Sequence, residues 1–268
     1  MVDQVVLITG STSGIGLAAA HAVAAAGDPV VLHGRRPDRV ADAAARLTAE
    51  GLPVAAALTA DLGDRAAVEQ LAAEASALGV GVLVNNAGVY RRERTETAAG
   101  REVTWTVNHL HPTLLTVLLL DDLLDRGGRV VNTSAVVHGR ARLDLDDPEF
   151  RTRRYNHFHA YANSKLANLL MAREFARRVG PDSGVTFNAL HPGVVSTALL
   201  TEGMRVEGHD PAEVAGAAVA RLAVGAEVAG VTGCYFEGEV ETEPSGPGLD
   251  DELARRLHDD TMRDLGFD

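Results

Sequence analysis

The stretch "VVLITGSTSGIG", residues 5–16, joins a short apolar run to a glycine-rich turn that leads into a helical segment. Its glycines, Gly10, Gly14 and Gly16, follow the spacing G-x-x-x-G-x-G. Glycine permits a tight turn and lets a pyrophosphate approach the N-terminus of the next helix, where free N–H groups and the helix dipole favour an anion. The stretch predicts a strand–turn–helix unit that binds a dinucleotide; the alternative is a helix start whose glycines serve packing alone.

Short apolar runs and longer helical stretches alternate along the rest of the chain. The predicted strands cover 5–9, 29–34, 54–58, 81–86, 128–134, 184–190 and 233–237. The predicted helices cover 14–26, 38–50, 64–78, 98–125, 160–179, 211–224 and 249–264. The apolar runs do not alternate strictly with polar residues, as expected for strands buried on both faces. This order predicts the α/β class and a doubly wound Rossmann fold, with a mostly parallel seven-stranded sheet and helices on both faces.

No linker or internal repeat divides the sequence, so we expect one Rossmann-type domain over residues 1–268. Two segments depart from the strand–helix rhythm: the long, charged stretch 139–158 and the stretch at about 194–210. Both follow predicted strand ends, and long loops in a compact domain often cover an active site. We predict that both are substrate-side insertions that act as a lid.

The composition excludes several classes of protein. The chain has 25 Lys and Arg residues against 37 Asp and Glu residues, a formal net charge of −12, which argues against a nucleic-acid or anionic-membrane partner. Its single cysteine, Cys234, rules out an intrachain disulfide and suits a reducing cytosol, so we expect a cytoplasmic protein. The start "MVDQVVLITG" lacks the basic region of a signal peptide, and the apolar run 114–120 is too short to span a bilayer.

The end of the second predicted strand, "HGRR" at 33–36, bears on the choice between NAD and NADP. An acidic residue there would hold the ribose 2′-hydroxyl of NAD, but Gly34 takes that position and Arg35 and Arg36 follow. Guanidinium pairs with phosphate through two hydrogen bonds, so the pair predicts the 2′-phosphate of NADP; the alternative is two solvated arginines at a helix start. Asp61-Leu62 and "NNAG" (85–88) follow the next two strands, near the expected adenine and cofactor path. The candidate cofactor contacts in these motifs are Gly10, Ser11, Thr12, Ser13, Gly14, Ile15, Gly16, Arg35, Arg36, Asp61, Leu62, Asn86, Ala87 and Gly88.

The stretch "HAYANSKLANLL", residues 159–170, places Tyr161 and Lys165 one turn apart on one face of a predicted helix. Hydride transfer to a carbonyl needs a proton donor beside the oxygen, and the pKa of a free tyrosine, near 10, is high for that task at neutral pH. A neighbouring ammonium favours the phenolate and lowers the tyrosine pKa. The pair predicts a proton-transfer site beside a nicotinamide; the alternative is that both polar tips reach water.

Two further polar residues are expected near the same point. Ser134 ends the fifth predicted strand, at the carboxyl edge where open α/β sheets bind ligands, so its hydroxyl is placed to hold a carbonyl oxygen. Asn108 lies inside a predicted helix, where asparagine is unfavourable. We interpret Asn108 as the binding site of a water that feeds protons toward Lys165.

Together these motifs resemble the short-chain dehydrogenase/reductase family over roughly residues 3 to 240. The resemblance is carried, in family order, by "TGSTSGIG", "NNAG", Asn108, Ser134, "YANSK" and "HPGVVST" (191–197). Within the family the chain is most similar to the retinol-dehydrogenase-like branch, on "VNHLHPTLLT", "VNTSAVVHG", "YANSKLANLL" and "NALHPGVVST". The spacing agrees, since Tyr161 follows Ser134 by 27 positions.

The resemblance implies an NADP-dependent oxidoreductase that acts on an apolar or medium-sized carbonyl or alcohol. It implies the catalytic set Asn108, Ser134, Tyr161 and Lys165. Tyr161 would be the general acid/base, and Lys165 would hold the nicotinamide ribose and lower the tyrosine pKa. The resemblance adds Tyr161, Lys165, Pro192, Gly193, Val195 and Thr197 to the cofactor contacts.

The sequence also bears on other functions that a protein of this fold could have. A catalytically inactive dinucleotide-binding sensor or scaffold needs no phenol–ammonium pair, so the four polar residues together argue against it. An epimerase or dehydratase of the longer relatives would carry a G-x-x-G-x-x-G spacing, which differs from the G-x-x-x-G-x-G spacing of this chain. The histidine pairs at 109/111 and 157/159 have no acidic or thiol partner at ligand spacing, so no metal is expected. The long predicted helices lead us to expect a homodimer or homotetramer.

Overall fold

The computed structural model of the protein describes residues 4–267. Its strands are β1 (Val5–Ile8), β2 (Val30–Gly34), β3 (Val54–Thr59), β4 (Val80–Asn85), β5 (Arg129–Thr133), β6 (Thr186–His191), β7 (Tyr235–Glu237) and β8 (Val240–Glu241). Its α-helices are α1 (Gly14–Ala25), α2 (Pro37–Ala49), α3 (Arg65–Ala77), α4 (Val103–Trp105), α5 (His111–Leu118), α6 (Leu120–Arg126), α7 (His157–Val179), α8 (Ala212–Val224) and α9 (Asp251–Leu265). Two π-helical turns are Thr106–Leu110 and Leu199–Met204, and short 3-10 turns are Val136–Arg140, Pro181–Ser183, Ala226–Val228 and Gly246–Leu249.

The strands form one sheet in the order β3-β2-β1-β4-β5-β6-β7-β8. Neighbours from β3 to β7 run parallel, and β8 pairs antiparallel with β7. The predicted α/β doubly wound fold is confirmed, but the count of seven strands is wrong. The eighth strand has two exposed residues, Val240 and Glu241, too few to form an apolar pattern. The chain winds outward from β1 in both directions, so β1 and β4 flank a topological switch point, where such sheets bind ligands.

Helices cover both faces of the sheet, because alternate strand residues point to opposite sides. In β1, Val6 and Ile8 belong to the apolar cluster under α1 and α8, whereas Leu7 belongs to the cluster under α5 and α7. The first pair of helices packs closely: a Cβ atom on Gly216 of α8 would lie 2.5 Å from the Ala18 carbonyl carbon of α1. The central strands are therefore buried on both faces, as their apolar sequence predicts.

The single helix predicted over 98–125 is wrong. The chain instead forms α4, a π-helical turn, α5 and α6. In the wide turn the N–H of His111 donates to the Thr106 carbonyl, five residues back. The next residue, Pro112, has no N–H, so the bond that a regular helix would make to the Asn108 carbonyl is absent. The wide turn and the proline together interrupt the helix at Asn108.

Residues 139–158 form a compact segment that packs beside the start of α7. The buried carboxylate of Asp147 accepts hydrogen bonds from backbone N–H groups at 151–153. The buried Glu149 accepts from Arg101 at 2.9 Å and from the backbone N–H of Glu102 at 2.7 Å. These contacts attach the segment to the residues that precede α4. Among the described residues, no helix has the length and apolar character needed to cross a membrane.

Candidate active site

A cavity of about 560 Å³ lies at the carboxyl ends of the parallel strands, beside the switch point. Its lining runs from the glycine-rich turn after β1 to the segment after β6. Of the predicted site residues it includes Gly10, Thr12, Ser13, Gly14, Ile15, Gly16, Arg35, Asp61, Leu62, Asn86, Ala87, Gly88, Ser134, Tyr161, Lys165, Pro192, Gly193, Val195 and Thr197. Three predicted residues, Ser11, Arg36 and Asn108, do not line it.

The glycine-rich turn forms one end of the cavity and fits a pyrophosphate. Gly10 and Gly14 have φ angles of 68° and 55°, in the left-handed region that favours glycine. A Cβ atom on Gly16 would lie 2.3 Å from the Gly10 carbonyl oxygen, so that position has no room for a side chain. Ser13 caps α1 without a side-chain hydrogen bond, which leaves the first N–H groups of the helix available to an anion.

The two neighbouring arginines after β2 have different surroundings. Arg35 lines the cavity, and no carboxylate among residues 4–267 forms an ion pair with it. Arg36 points away, is largely exposed and pairs with Asp38 at 2.5 Å. A Cβ atom on Gly34 would lie 2.6 Å from the Thr12 methyl carbon, so a side chain at this position would require Thr12 to move. Arg35 is therefore the one of these two arginines that borders the cavity.

Two predicted cofactor residues tie strands together. The buried Ser11 exchanges hydrogen bonds with the backbone of His33, which joins the turn after β1 to β2. The Asn86 side chain donates to the Thr9 carbonyl at 2.8 Å, which joins the ends of β4 and β1. Asp61 accepts the N–H of Gly63 at 2.8 Å while its side chain borders the cavity.

At the other end of the cavity, α7 presents Tyr161 and Lys165, both buried. The Lys165 Nζ atom lies 5.5 Å from the centroid of the Tyr161 ring and donates to the Thr133 carbonyl at 2.9 Å. Burial lowers the pKa of Lys165 to about 8. Burial also raises the pKa of Tyr161, and nearby Tyr90 adds to the increase. This direction is opposite to the predicted one, because the loss of solvation on burial is the largest influence on the pKa of the phenol.

Ser134 and Asn108 both form hydrogen bonds with α7 next to this pair. The buried Ser134 hydroxyl borders the cavity and donates to the Lys165 carbonyl at 2.7 Å. The fully buried Asn108 accepts the N–H of Val89 at 2.7 Å and donates to the Ser164 hydroxyl at 3.1 Å. Asn108 thus joins the loop after β4 to the helix that carries the tyrosine. A Cβ atom on Gly88 would lie 3.5 Å from Asn108 Oδ1 and 3.7 Å from Lys165 Nζ, so Gly88 keeps a space between the two side chains open.

Only one of the two predicted lid segments borders the cavity. Residues 194–210 form a loop closed at its base, where Asp210 accepts the N–H of Val194 at 2.6 Å. The loop contributes Val194, Val195, Thr197, Ala198, Leu199, Leu200 and Met204 to the lining. The segment 139–158 contributes no residue to the lining. Its buried acidic residues are used in the packing described above.

Sequence reasoning did not identify every residue of the cavity. His191, at the end of β6, lines it, and among the described residues the buried Nδ1 atom of His191 has no hydrogen-bond partner. Its position directly before Pro192-Gly193 on a strand end was the signal available. Val136 and Val137 also line the cavity from the turn after Ser134. Within residues 4–267, no group of three or more His, Cys, Asp or Glu side chains is placed to hold a metal ion.

An open parallel sheet with a phosphate cradle at its switch point and a buried tyrosine–lysine pair defines a dinucleotide-binding dehydrogenase. The model of the short chain dehydrogenase family matches residues 4–205. Retinol dehydrogenase 13 from Homo sapiens is 35% identical over 99% of this chain and 85% of its own length. Polyprenol dehydrogenase from Mus musculus is 37% identical over 98% of this chain and 84% of its own length.

A solved structure described as blue fluorescent protein from a metagenomic library, in complex with NADPH, is also similar. It has a TM-score of 0.71 and 27% identity, over 88% of this chain and 98% of its own. This chain belongs to the short-chain dehydrogenase/reductase family, in its retinol-dehydrogenase-like branch. It is accordingly an oxidoreductase that uses a nicotinamide dinucleotide.

Proposed function

We propose that the chain is an NADP-dependent oxidoreductase that interconverts a carbonyl and an alcohol, with Tyr161 as general acid/base. The observation that carries the proposal is the arrangement of one cavity. The glycine turn and Arg35 border the cavity near one end, and Tyr161, Lys165 and Ser134 border it near the other. A dinucleotide lying along the cavity would have its adenosine phosphate near Arg35 and its reactive ring near the tyrosine.

The bound nicotinamide would supply or accept the hydride. The buried Tyr161, whose pKa is raised by burial, holds its phenolic proton at neutral pH and can give it to a carbonyl oxygen. Lys165 has a pKa of about 8, so it is mostly an ammonium at pH 7 and favours negative charge on the phenol as the proton leaves. Ser134 gives its hydrogen to the Lys165 carbonyl, and its hydroxyl can rotate to donate to the substrate oxygen.

The preference for NADP rests on Arg35. Its side chain borders the cavity, whereas Arg36 forms an ion pair with Asp38 and does not line the cavity. A charge-assisted hydrogen bond contributes about 1.5–3 kcal/mol, which corresponds to roughly ten- to a hundredfold in affinity. The similar solved structure bound to NADPH supports the same choice.

The proposed substrate is apolar. Leu199, Leu200 and Met204 of the loop 194–210 line the cavity, and Val137 lines it from the turn after Ser134. Retinol and polyprenol, the alcohols in the names of two relatives, are both apolar. We propose that residues 194–210 cover the bound substrate. Placement in the cytoplasm and assembly into a homodimer or homotetramer remain predictions from the sequence.

The direct test is NADPH consumption, followed by absorbance, over a panel of aldehydes and ketones of increasing size and apolarity. We expect turnover that increases with the apolar character of the substrate and that is slower with NADH. The sensor or scaffold alternative predicts NADPH binding without consumption for every member of the panel. That outcome, with binding verified by fluorescence, would contradict the proposal.

A further inference from the structure

One side chain, Tyr90, contacts both the proposed general acid/base, Tyr161, and the loop 194–210, which we call the lid. The ring centroids of Tyr90 and Tyr161 lie 5.4 Å apart, with their planes at 59°. The lid backbone also approaches Tyr90, because a Cβ atom on Gly203 would lie 3.2 Å from Tyr90 Cβ. Tyr90 therefore connects the reacting tyrosine to the lid.

The position of Tyr90 is fixed by the helix that carries Tyr161. Its hydroxyl forms a hydrogen bond of 2.5 Å with Nδ1 of His157, and the two rings meet edge to face at 5.5 Å. His157 is the first residue of α7, and Tyr161 follows one turn later on the same face. Movement of Tyr90 away from this position would break its contact with His157 at the start of α7.

A second side chain from the loop after β4, that of Arg92, holds the lid itself. Arg92 donates from Nε to the Gly203 carbonyl at 3.0 Å and from Nη2 to the Met204 carbonyl at 3.2 Å. These carbonyls end the π-helical turn Leu199–Met204, where backbone acceptors lack helical partners. The chain then reverses at Arg205, which has a φ angle of 59°. Guanidinium is a suitable group for such an end because it carries charge and two parallel donors.

We infer that Tyr90 and Arg92 form a clasp that holds the lid at Gly203–Met204 against Tyr161, and that Tyr90 is a specificity-determining positioning residue. The inference rests on the proposed function. Met204 lines the cavity, so the position at which the clasp holds it sets the space left for a substrate between the lid and the tyrosine. A bulky apolar substrate uses that space, whereas a small carbonyl does not reach it.

Limited proteolysis tests the clasp without reference to catalysis. Arg205 is exposed on the lid, so trypsin cleavage after Arg205, identified by the mass of the fragment 1–205, reports lid opening. We expect Arg92→Ala to speed this cleavage by roughly three- to tenfold, equivalent to about 0.7–1.4 kcal/mol, and Arg92→Lys to restore part of the protection. Arg91→Ala is the matched control: it removes the same charge one residue away, and no side-chain hydrogen bond of Arg91 is found among the described residues.

Kinetics tests the effect on specificity. Tyr90→Phe keeps the ring that contacts Tyr161 and Gly203 and removes the hydrogen bond to His157. For Tyr90→Phe and Arg92→Ala we expect KM for bulky carbonyls to rise by roughly three- to tenfold, equivalent to about 0.7–1.4 kcal/mol, while KM for a small aldehyde and kcat change by less than about twofold. A purely structural role would lower activity equally for all substrates.

The two proposals fail in different ways. If the wild type reduces no carbonyl, the proposed function fails, and the cleavage rates at Arg205 still decide whether the clasp holds the lid. If the wild type is active but both variants keep its cleavage rate and its substrate-size profile, the clasp is contradicted. Equal increases of KM for small and bulky substrates would contradict the role of Tyr90 in specificity.

Discussion

The Lys165 ammonium and the Tyr161 ring lie side by side in a buried wall of the cavity, with 5.5 Å between Nζ and the ring centroid. The ammonium donates to the Thr133 carbonyl rather than to the phenol. In the proposed mechanism, Lys165 therefore acts on the tyrosine through its charge rather than through a hydrogen bond.

Lys165 is the only lysine in the sequence, so a direct measurement of its pKa is possible. Protein labelled with [ε-13C]lysine should give one lysine signal in an NMR titration, with a midpoint near pH 8 because burial disfavours the ammonium. A midpoint at the ordinary lysine value of 10.5 would show that burial has little effect.

The same pKa predicts a pH dependence of stability. Because the folded-state pKa of Lys165 is lowered to about 8, the unfolded chain binds the proton more tightly between pH 8 and 10.5. The free energy of unfolding should therefore rise with pH in that window, by up to about 1.4 kcal/mol per pH unit from this group. Urea unfolding at several pH values, with Lys165→Met as control, checks this. If the difference in free energy of unfolding between the two proteins does not change with pH, the ionisation of Lys165 does not contribute to the pH dependence of stability.

Cofactor choice is predicted to depend on one of two neighbouring arginines. Arg35→Ala should weaken NADPH binding by roughly ten- to a hundredfold and leave NADH binding nearly unchanged. Arg36→Ala is the matched control and should change neither affinity, because Arg36 pairs with Asp38 outside the cavity. Fluorescence titration of both cofactors against the three proteins measures this. Equal affinities of the wild type for NADH and NADPH would contradict the preference.

The glycine cradle should not tolerate a methyl group at its tightest point. A Cβ atom on Gly16 would lie 2.3 Å from the Gly10 carbonyl oxygen, so Gly16→Ala must displace backbone and should destabilise the fold by about 1–3 kcal/mol while weakening NADPH binding. Gly81→Ala serves as control, since its nearest neighbours lie at 3.4 Å. Thermal unfolding and cofactor titration give both readouts, and an unchanged Gly16→Ala protein would rule out the close approach.

The predictable parts of the fold were those with a strong local pattern. The apolar runs and glycine turn of 5–16 predict the central strand, the turn after it and the first helix correctly. The edge strand at Val240–Glu241 escaped detection because two exposed residues form no periodic pattern. The interruption at Asn108 depends on Pro112 and on a five-residue hydrogen bond, which helix periodicity does not reveal.

The site was predictable where the type of residue determines its chemistry. It was less predictable where contacts with other residues determine the direction or the pKa of a side chain. The sequence could not show that Arg36 finds Asp38 while Arg35 remains beside the cavity. It also could not show that burial raises the pKa of Tyr161 although Lys165 lies beside it. The first outcome depends on the directions in which two neighbouring side chains point, and the second depends on the burial of Tyr161 by elements that are distant in the chain.

Tyr161→Phe tests most directly whether Tyr161 is the proton donor. The substitution removes one hydroxyl and keeps the ring that packs against Tyr90. NADPH affinity should stay within about twofold, while kcat on the best carbonyl substrate should fall by about a hundredfold or more, the contribution typical of general acid catalysis. The measurement is the steady-state rate of NADPH consumption together with the Kd of NADPH from fluorescence. A Tyr161→Phe protein that binds NADPH normally and keeps the wild-type kcat would contradict the account.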